Sequence, residues 1–281
     1  MRKRLWIVNN EHCYWKSGVT KPGYTAIPFP LECTDGIDTN VSAAFEQYAC
    51  VDLSPTFYTN MPGWHSHPNV MIVEDARNFA QNGYFLQTLF LPEHSGCHVD
   101  APAHILPDKA DQTIDIFPAN ALCGIAKKID LSQENYAPGD LASLSKVEEV
   151  MKHTGITIEN GDIVVFDFGY DRYLVDVEKK PAHQRNWWGE NEPGLAEDVC
   201  RFLSEVGVKA VGSDTPACDT AQINGQVTAD FGHAHYFLPN GIFIVEGLYG
   251  LAKVPACFYL LALPLKIKGR SGSPLRPIAL F

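Results

Sequence analysis

Between residue 48 and the end of the chain, apolar and polar positions fall into short segments of two kinds, one alternating and one with helical spacing. Residues 48–53 begin the regular pattern and stop at Ser54-Pro55, a turn signal. Residues 84–91 alternate aromatic or aliphatic with polar side chains, which predicts a strand leading into a histidine-rich segment. Residues 125–131 and 162–168 are strand-like as well, the second entered through a tight turn at Glu159-Asn160-Gly161-Asp162. Between them, residues 143–153 place Leu144, Val147, Val150 and Met151 on one helical face, with Gly155 as the stop. Pro193-Gly194-Leu195 opens a second helix that runs through Leu203 to Gly207, followed by a short buried strand at 208–211. Asn240-Gly241 turns the chain into a strand at 242–245, and 258–265 forms another. Strands outnumber helices, so the pattern predicts one α/β domain with a largely mixed sheet over residues 46–281. Residues 1–45 are rich in Gly, Pro and aromatics without clear periodicity. They are expected to be an arm packing on the body or on a neighbouring subunit.

Composition narrows the function classes. The chain has 281 residues, 46% of them hydrophobic, enough for a sizeable core. With 22 basic against 33 acidic residues the formal net charge is -11. That disfavours nucleic acid and anionic membrane surfaces, which require clustered Lys and Arg. No apolar run approaches the roughly 18 residues of a membrane span, and residues 5–8 are too short an apolar run for a signal peptide. None of the eight cysteines forms a Cys-x-x-Cys pair. Dispersed thiols without an export signal predict a reduced, cytoplasmic protein.

The densest chemistry lies in His94-Ser95-Gly96-Cys97-His98-Val99-Asp100-Ala101-Pro102-Ala103-His104. Three imidazoles and a carboxylate are the donors that Zn, Mn or Fe(II) accept. A helix cannot gather them: Asp100 would sit about 200° around from His98, and the helix would run into Pro102. In an extended chain His94, His98, Asp100 and His104 share one face. A straight strand, however, would hold His94 and His98 about 13 Å apart, too far for one metal. The chain must bend, and Gly96 and Pro102 sit where bending costs least.

This segment resembles His-x-Gly-Thr-His-x-Asp-x-Pro-x-His, the signature of the metal-dependent cyclase-like hydrolases of kynurenine formamidase, isatin hydrolase and trans-dienelactone hydrolase type. It departs only at Cys97, where the family has Thr. The likeness continues through Asp52-Leu53-Ser54-Pro55, Pro193-Gly194-Leu195, Val211-Gly212-Ser213-Asp214-Thr215-Pro216, Glu246-Gly247-Leu248 and Gly272-Ser273-Pro274-Leu275-Arg276-Pro277. The resemblance implies a swivelling β/β/α fold with a mixed sheet. It also implies metal ligation by His94, His98 and Asp100, and proton transfer by His104. Where such proteins hold two ions, a later His and Glu join. Glu246 matches the Glu, and His235 is favoured over His233 for the His. The implied ions are Zn or Mn, one or two, in a homodimer or homotetramer.

The chemistry expected is attack of metal-activated water on an amide, lactam, ester or lactone carbonyl. His104 would take a proton from that water or return one to the leaving group. Trp64, Trp187 and Trp188, with Phe57, lie in loops bounded by Pro and Gly, and are expected to line a pocket for a small cyclic or aromatic substrate. His65 and His67 flank the same loop and could touch substrate, although each alone reads first as structural. Three rival readings use the same residues: a cyclase or dehydratase of the same fold, a non-haem Fe(II) oxygenase built on His98-x-Asp100, and a non-catalytic metal-binding scaffold.

Overall fold

The structure, a computed structural model, describes residues 5–8, 13–16, 48–174, 177–181 and 184–281. Met1–Ala49 and Cys50–Phe281 are separate compact units. In the first, Leu5–Val8 pairs antiparallel with Cys13–Lys16. The expected packing of an arm over residues 1–45 otherwise lies outside the described residues.

A nine-stranded mixed sheet organises the second unit. In chain order its strands are β1 (Cys50–Asp52), β2 (His98–Asp100), β3 (Cys123–Asp130), β4 (Ile163–Asp167), β5 (Ala210–Ser213), β6 (Phe243–Glu246), β7 (Cys257–Leu261), β8 (Gly272–Pro274) and β9 (Ile278–Leu280). Across the sheet they run β8-β2-β6-β5-β4-β3-β7-β9-β1. The four central strands, β6, β5, β4 and β3, are parallel, and the flanking pairs are antiparallel. Parallel strands must be covered on both faces. Accordingly Val164 and Phe166 enter one apolar core, and Ile163 and Val165 the other.

The first core is roofed by two helices. α1 (Leu144–Thr154) starts where the Ser143 side chain accepts from the Lys146 backbone N–H and ends at Gly155, whose φ is 72°. α2 (Glu197–Val206) ends at Gly207 with φ 77°. Its predicted start at Pro193-Gly194-Leu195 is corrected. Gly194–Leu195 is extended and pairs in parallel with Leu141–Ala142. A Cβ on Gly194 would lie 2.6 Å from the Asp219 carbonyl oxygen, so this backbone is a close-packed strand and not a helical turn.

Two strand expectations are also revised. Leu86–Phe90 does not lead into the histidine segment within the main sheet; it pairs with Met71–Arg77 in a separate hairpin. Leu86, Leu89 and Phe90 are exposed there. The strand expected over 258–265 stops at Leu261, before Pro264. A further hairpin, Ala221–Ile223 with Gln226–Ala229, turns at Asn224 and Gly225, both with positive φ. Among the described residues no helix is long and apolar enough to cross a membrane.

Candidate metal centre

The bend anticipated between His94 and His98 is present. Gly96 has φ +56°, and a Cβ there would lie 2.7 Å from Cζ of Phe57. Only glycine meets both conditions at low cost. The chain then straightens into β2, whose alternation sends Val99 into an apolar core and leaves His98 and Asp100 on the opposite face. Pro102 starts a 3-10 turn, Pro102–His104, that brings His104 back over the site. The His104 ring lies over that of His94, with centroids 3.9 Å apart.

The second half of the site comes from the carboxyl ends of the parallel strands, where ligand sites of α/β sheets gather. β6 pairs with β2 so that Glu246 is opposite His98. Glu246 Oε2 is 3.1 Å from His98 Nε2, and its Oε1 accepts from the Cys218 backbone N–H at 3.2 Å. The remaining histidine is His233 and not His235. Gly232–Phe237 forms one wide helical turn that buries His233 and leaves His235 exposed. His233 Nε2 stands 3.3 Å from Asp100 Oδ2 and 3.2 Å from Glu246 Oε1. Asp100 is the hub. Its Oδ1 is 2.6 Å from His94 Nδ1 and 3.6 Å from His98 Nε2, and its Oδ2 is 3.9 Å from His104 Nε2.

Each ring is oriented by a second group. His98 Nδ1 is 3.0 Å from the Gly96 carbonyl. His233 Nδ1 is 2.5 Å from Oδ1 of Asp219, whose Oδ2 accepts from the backbone N–H of Gly232 and His233. Asp219 is fully buried, and sequence spacing did not single it out. Glu192, also fully buried, accepts from the Ala217 N–H at 2.7 Å and from Gln222 Nε2 at 2.8 Å, bracing the 215–218 loop from behind.

Electrostatics follow the geometry. Burial works against ionisation of Asp100, but His94, His104 and His233 outweigh it and hold the carboxyl well below the usual range. Burial and Asp100 push Glu246 up, and His233 and His98 bring it down further than that. Burial opposes the charge on His98, yet Glu246 and Asp100 push it up to about 9. His104 moves the other way: burial, with His94 and His233, outweighs Asp100 and takes it down to about 4. A neutral imidazole therefore sits beside a charged cluster.

The donor set fits a divalent ion. Oxygen and nitrogen atoms of His94, Asp100 and His104 converge within 4.8 Å of one another, as do those of His98, Asp100 and Glu246. Two carboxylates in a buried site need positive charge beside them; the raised His98 and His233 supply it here, and a divalent ion would take over that role. The set exceeds the two histidines and one carboxylate of a non-haem iron triad. Cys97 is fully buried among apolar residues and contributes no donor.

Above the cluster opens a cleft of about 690 Å³. Trp64 and Trp188 form its aromatic walls, and His67, Ile105, Thr220 and Asp230 complete it. Trp188 is held by Nε1 donating to the Asp214 carbonyl at 3.2 Å. Two expected lining residues lie elsewhere. Trp187 faces away and packs on Tyr170 and Tyr173, because neighbouring residues in the short helix Trp187–Glu190 point in different directions. Phe57 packs beneath Gly96. His67 does line the cleft, with its ring 5.9 Å from that of His94, whereas His65 is exposed.

The fold is shared with known proteins. The model of the Cyclase family matches residues 51–220. A kynurenine formamidase of Salinibacter ruber is 26% identical over 231 residues, spanning 82% of this chain and 96% of that protein. An isatin hydrolase of Roseibium aggregatum is 28% identical over 233 residues, 82% and 86% of the two chains. Among solved structures, an isatin hydrolase bound to the product analogue thioisatinate superposes with a TM-score of 0.73 at 25% identity, covering 84% of this chain and 93% of that one. Isatin hydrolase A of Ralstonia solanacearum has a TM-score of 0.71 at 22% identity, over 85% and 94% of the chains, and shares the fold.

Proposed function

The chain belongs to the Cyclase family, and on that premise we propose that its cleft hydrolyses the amide or lactam carbonyl of a small aromatic substrate. The chain's likeness to kynurenine formamidase and isatin hydrolase supports a hydrolase, and the converging imidazole and carboxylate donors support metal dependence. The observation that carries the substrate reading is the convergence of two buried carboxylates and four imidazoles beneath Trp64 and Trp188.

His94, His98 and Asp100 hold a divalent ion, Zn or Mn, and His233 and Glu246 hold either the same ion or a second one. Bound there, the ion supplies a Lewis acid that polarises a carbonyl and brings the pKa of water toward neutrality. His104 takes one proton from the attacking water as the C–O bond forms, and gives it to the leaving nitrogen as the C–N bond breaks. Burial keeps it neutral, with a ring lone pair available. The indole faces of Trp64 and Trp188 orient the ring of the substrate. Among the described residues the cleft lining includes no Lys or Arg, and Trp64 and Trp188 are the groups available to hold the ring. Dispersed cysteines support a cytoplasmic setting. The exposed Leu86, Leu89 and Phe90 support a homodimer or homotetramer.

The test combines metal analysis with a panel of aryl formamides, isatin-like lactams and unsaturated lactones. Ring opening or deformylation by the metal-loaded protein is expected. His104→Ala should keep its metal and lose about 10²–10⁴-fold in turnover. Metal-loaded protein that opens none of the panel would sink the reading, and equal loss of metal in His104→Ala would make His104 a ligand.

A further inference from the structure

We propose that Glu93 and Ser271 form a hydrogen-bond relay that fixes the tautomer of His94 and thereby presents Nδ1, not Nε2, to the metal. The proposal rests on the metal-centre reading above and concerns two positioning residues that neither the motif nor the ligand set includes.

Ser271 precedes β8, the strand paired with β2, and its carbonyl accepts from the Ala101 N–H at 2.8 Å. Its Oγ is 2.9 Å from His94 Nε2 and 3.0 Å from Glu93 Oε1. Its backbone N–H donates to Glu93 Oε2 at 3.2 Å. Counting protons decides the direction of the chain. A hydroxyl has one proton to give, and a carboxylate has lone pairs only. The Ser271 proton therefore goes to Glu93, and Ser271 Oγ meets His94 only as an acceptor. Nε2 of His94 must then carry hydrogen. The proton shared by Nδ1 and Asp100 Oδ1, 2.6 Å apart, is then the one an ion displaces on binding, and the lone pair it meets is on Nδ1.

His94 is thus reversed relative to its neighbours. His98 and His233 engage their Nδ1 atoms with Gly96 and Asp219, and turn Nε2 to the centre. The His94 ring is also restrained sterically. A Cβ on Gly272 would lie 2.5 Å from His94 Cε1, so the β8 backbone presses on the ring while His104 stacks against it. Packing sets where the ring lies, and the relay sets which nitrogen is free.

Three variants test the relay by competitive chelator titration with Zn²⁺. Glu93→Gln keeps the shape but can donate to Ser271, turning the hydroxyl toward Nε2 and forcing the proton onto Nδ1. Affinity should fall about 10- to 100-fold. Ser271→Ala should fall similarly, and Ser271→Thr, which keeps the hydroxyl, should restore affinity. Unfolding in excess chelator should show all three folded. Long-range ¹⁵N NMR of histidine-labelled, Zn-loaded protein should show His94 protonated at Nε2. Wild-type affinity in both Glu93→Gln and Ser271→Ala, or a proton on Nδ1, overturns the relay and leaves the metal centre standing. Wild-type protein without Zn²⁺ affinity overturns both.

Discussion

Stripped of metal, this protein should lose stability as pH rises from about 6.5 to about 9, a window in which most folds are insensitive to pH. His98 is the cause. It is buried, and Glu246 and Asp100 raise it from 6.5 to about 9. A histidine whose folded pKa lies above its unfolded value contributes stability that is fully present below the unfolded value. That contribution disappears as pH climbs through the folded value. At about 1.4 kcal/mol per tenfold change in proton affinity, the contribution is about 3 kcal/mol. His233 is raised as well, by Asp219, Asp100 and Glu246 against the opposing effect of burial, and acts in the same sense. The metal-loaded protein should instead gain stability up to about pH 6.5 and stay level above it, because an imidazole must shed its proton to bind an ion and the unfolded imidazole has lost its own by then. Urea unfolding at about pH 6, 7.5 and 9, with chelator and with Zn²⁺, measures both slopes. A chelated protein whose stability is flat or rises across this window would refute the assignment of His98 to the carboxylate cluster. Identical slopes with and without Zn²⁺ would refute its assignment to the metal.

Other outcomes follow from the same geometry. Asp219→Asn should keep the fold yet lower metal affinity about 10- to 100-fold, because an amide nitrogen facing His233 Nδ1 turns a proton toward the centre; unchanged affinity by chelator competition would exclude His233 as a ligand. Gly247→Ala should destabilise by at least about 2 kcal/mol, since its φ is +65° and the new Cβ would lie 2.4 Å from the Gly96 carbonyl oxygen. Urea midpoints equal to the parent's would contradict that packing. Trp188→Phe loses the bond to the Asp214 carbonyl, worth about 1 kcal/mol. KM for an aromatic substrate should rise several-fold while kcat changes less, and a pure kcat effect would mean that Trp188 does not bind the ring.

The parts of the site legible in sequence were those fixed by local stereochemistry. Parity put His98 and Asp100 on one face, and the need for a bend singled out Gly96. What sequence could not supply was phase. His233 and His235 lie two apart, so in any helical winding they face nearly opposite ways, and only the wide turn Gly232–Phe237 determines which enters the cleft. Trp187 and Trp188 pose the same problem as adjacent residues. Asp219, Glu93 and Ser271 act through rings distant in sequence, and a lone carboxylate or hydroxyl has no spacing to betray it. Asn224-Gly225 is different: the turn signal was in the chain, but the polar residues around it masked the hairpin. Gly194 likewise looked like helix entry because the approach of the Asp219–Ala221 backbone is a tertiary fact.

β2 is hydrogen-bonded on one side to β6 and on the other to β8, both more than 140 residues later in the chain. During synthesis, His94 to His104 therefore leave the ribosome long before the strands that complete their surroundings. Pairing over such separations is slow, since loop-closure entropy is lost before contacts repay it. A nascent chain stopped ahead of Phe243 has the motif but neither Glu246 nor a partner strand. Metal capture is thus a late event in maturation, and retention of the ion through dialysis reports that the edge of the sheet has closed.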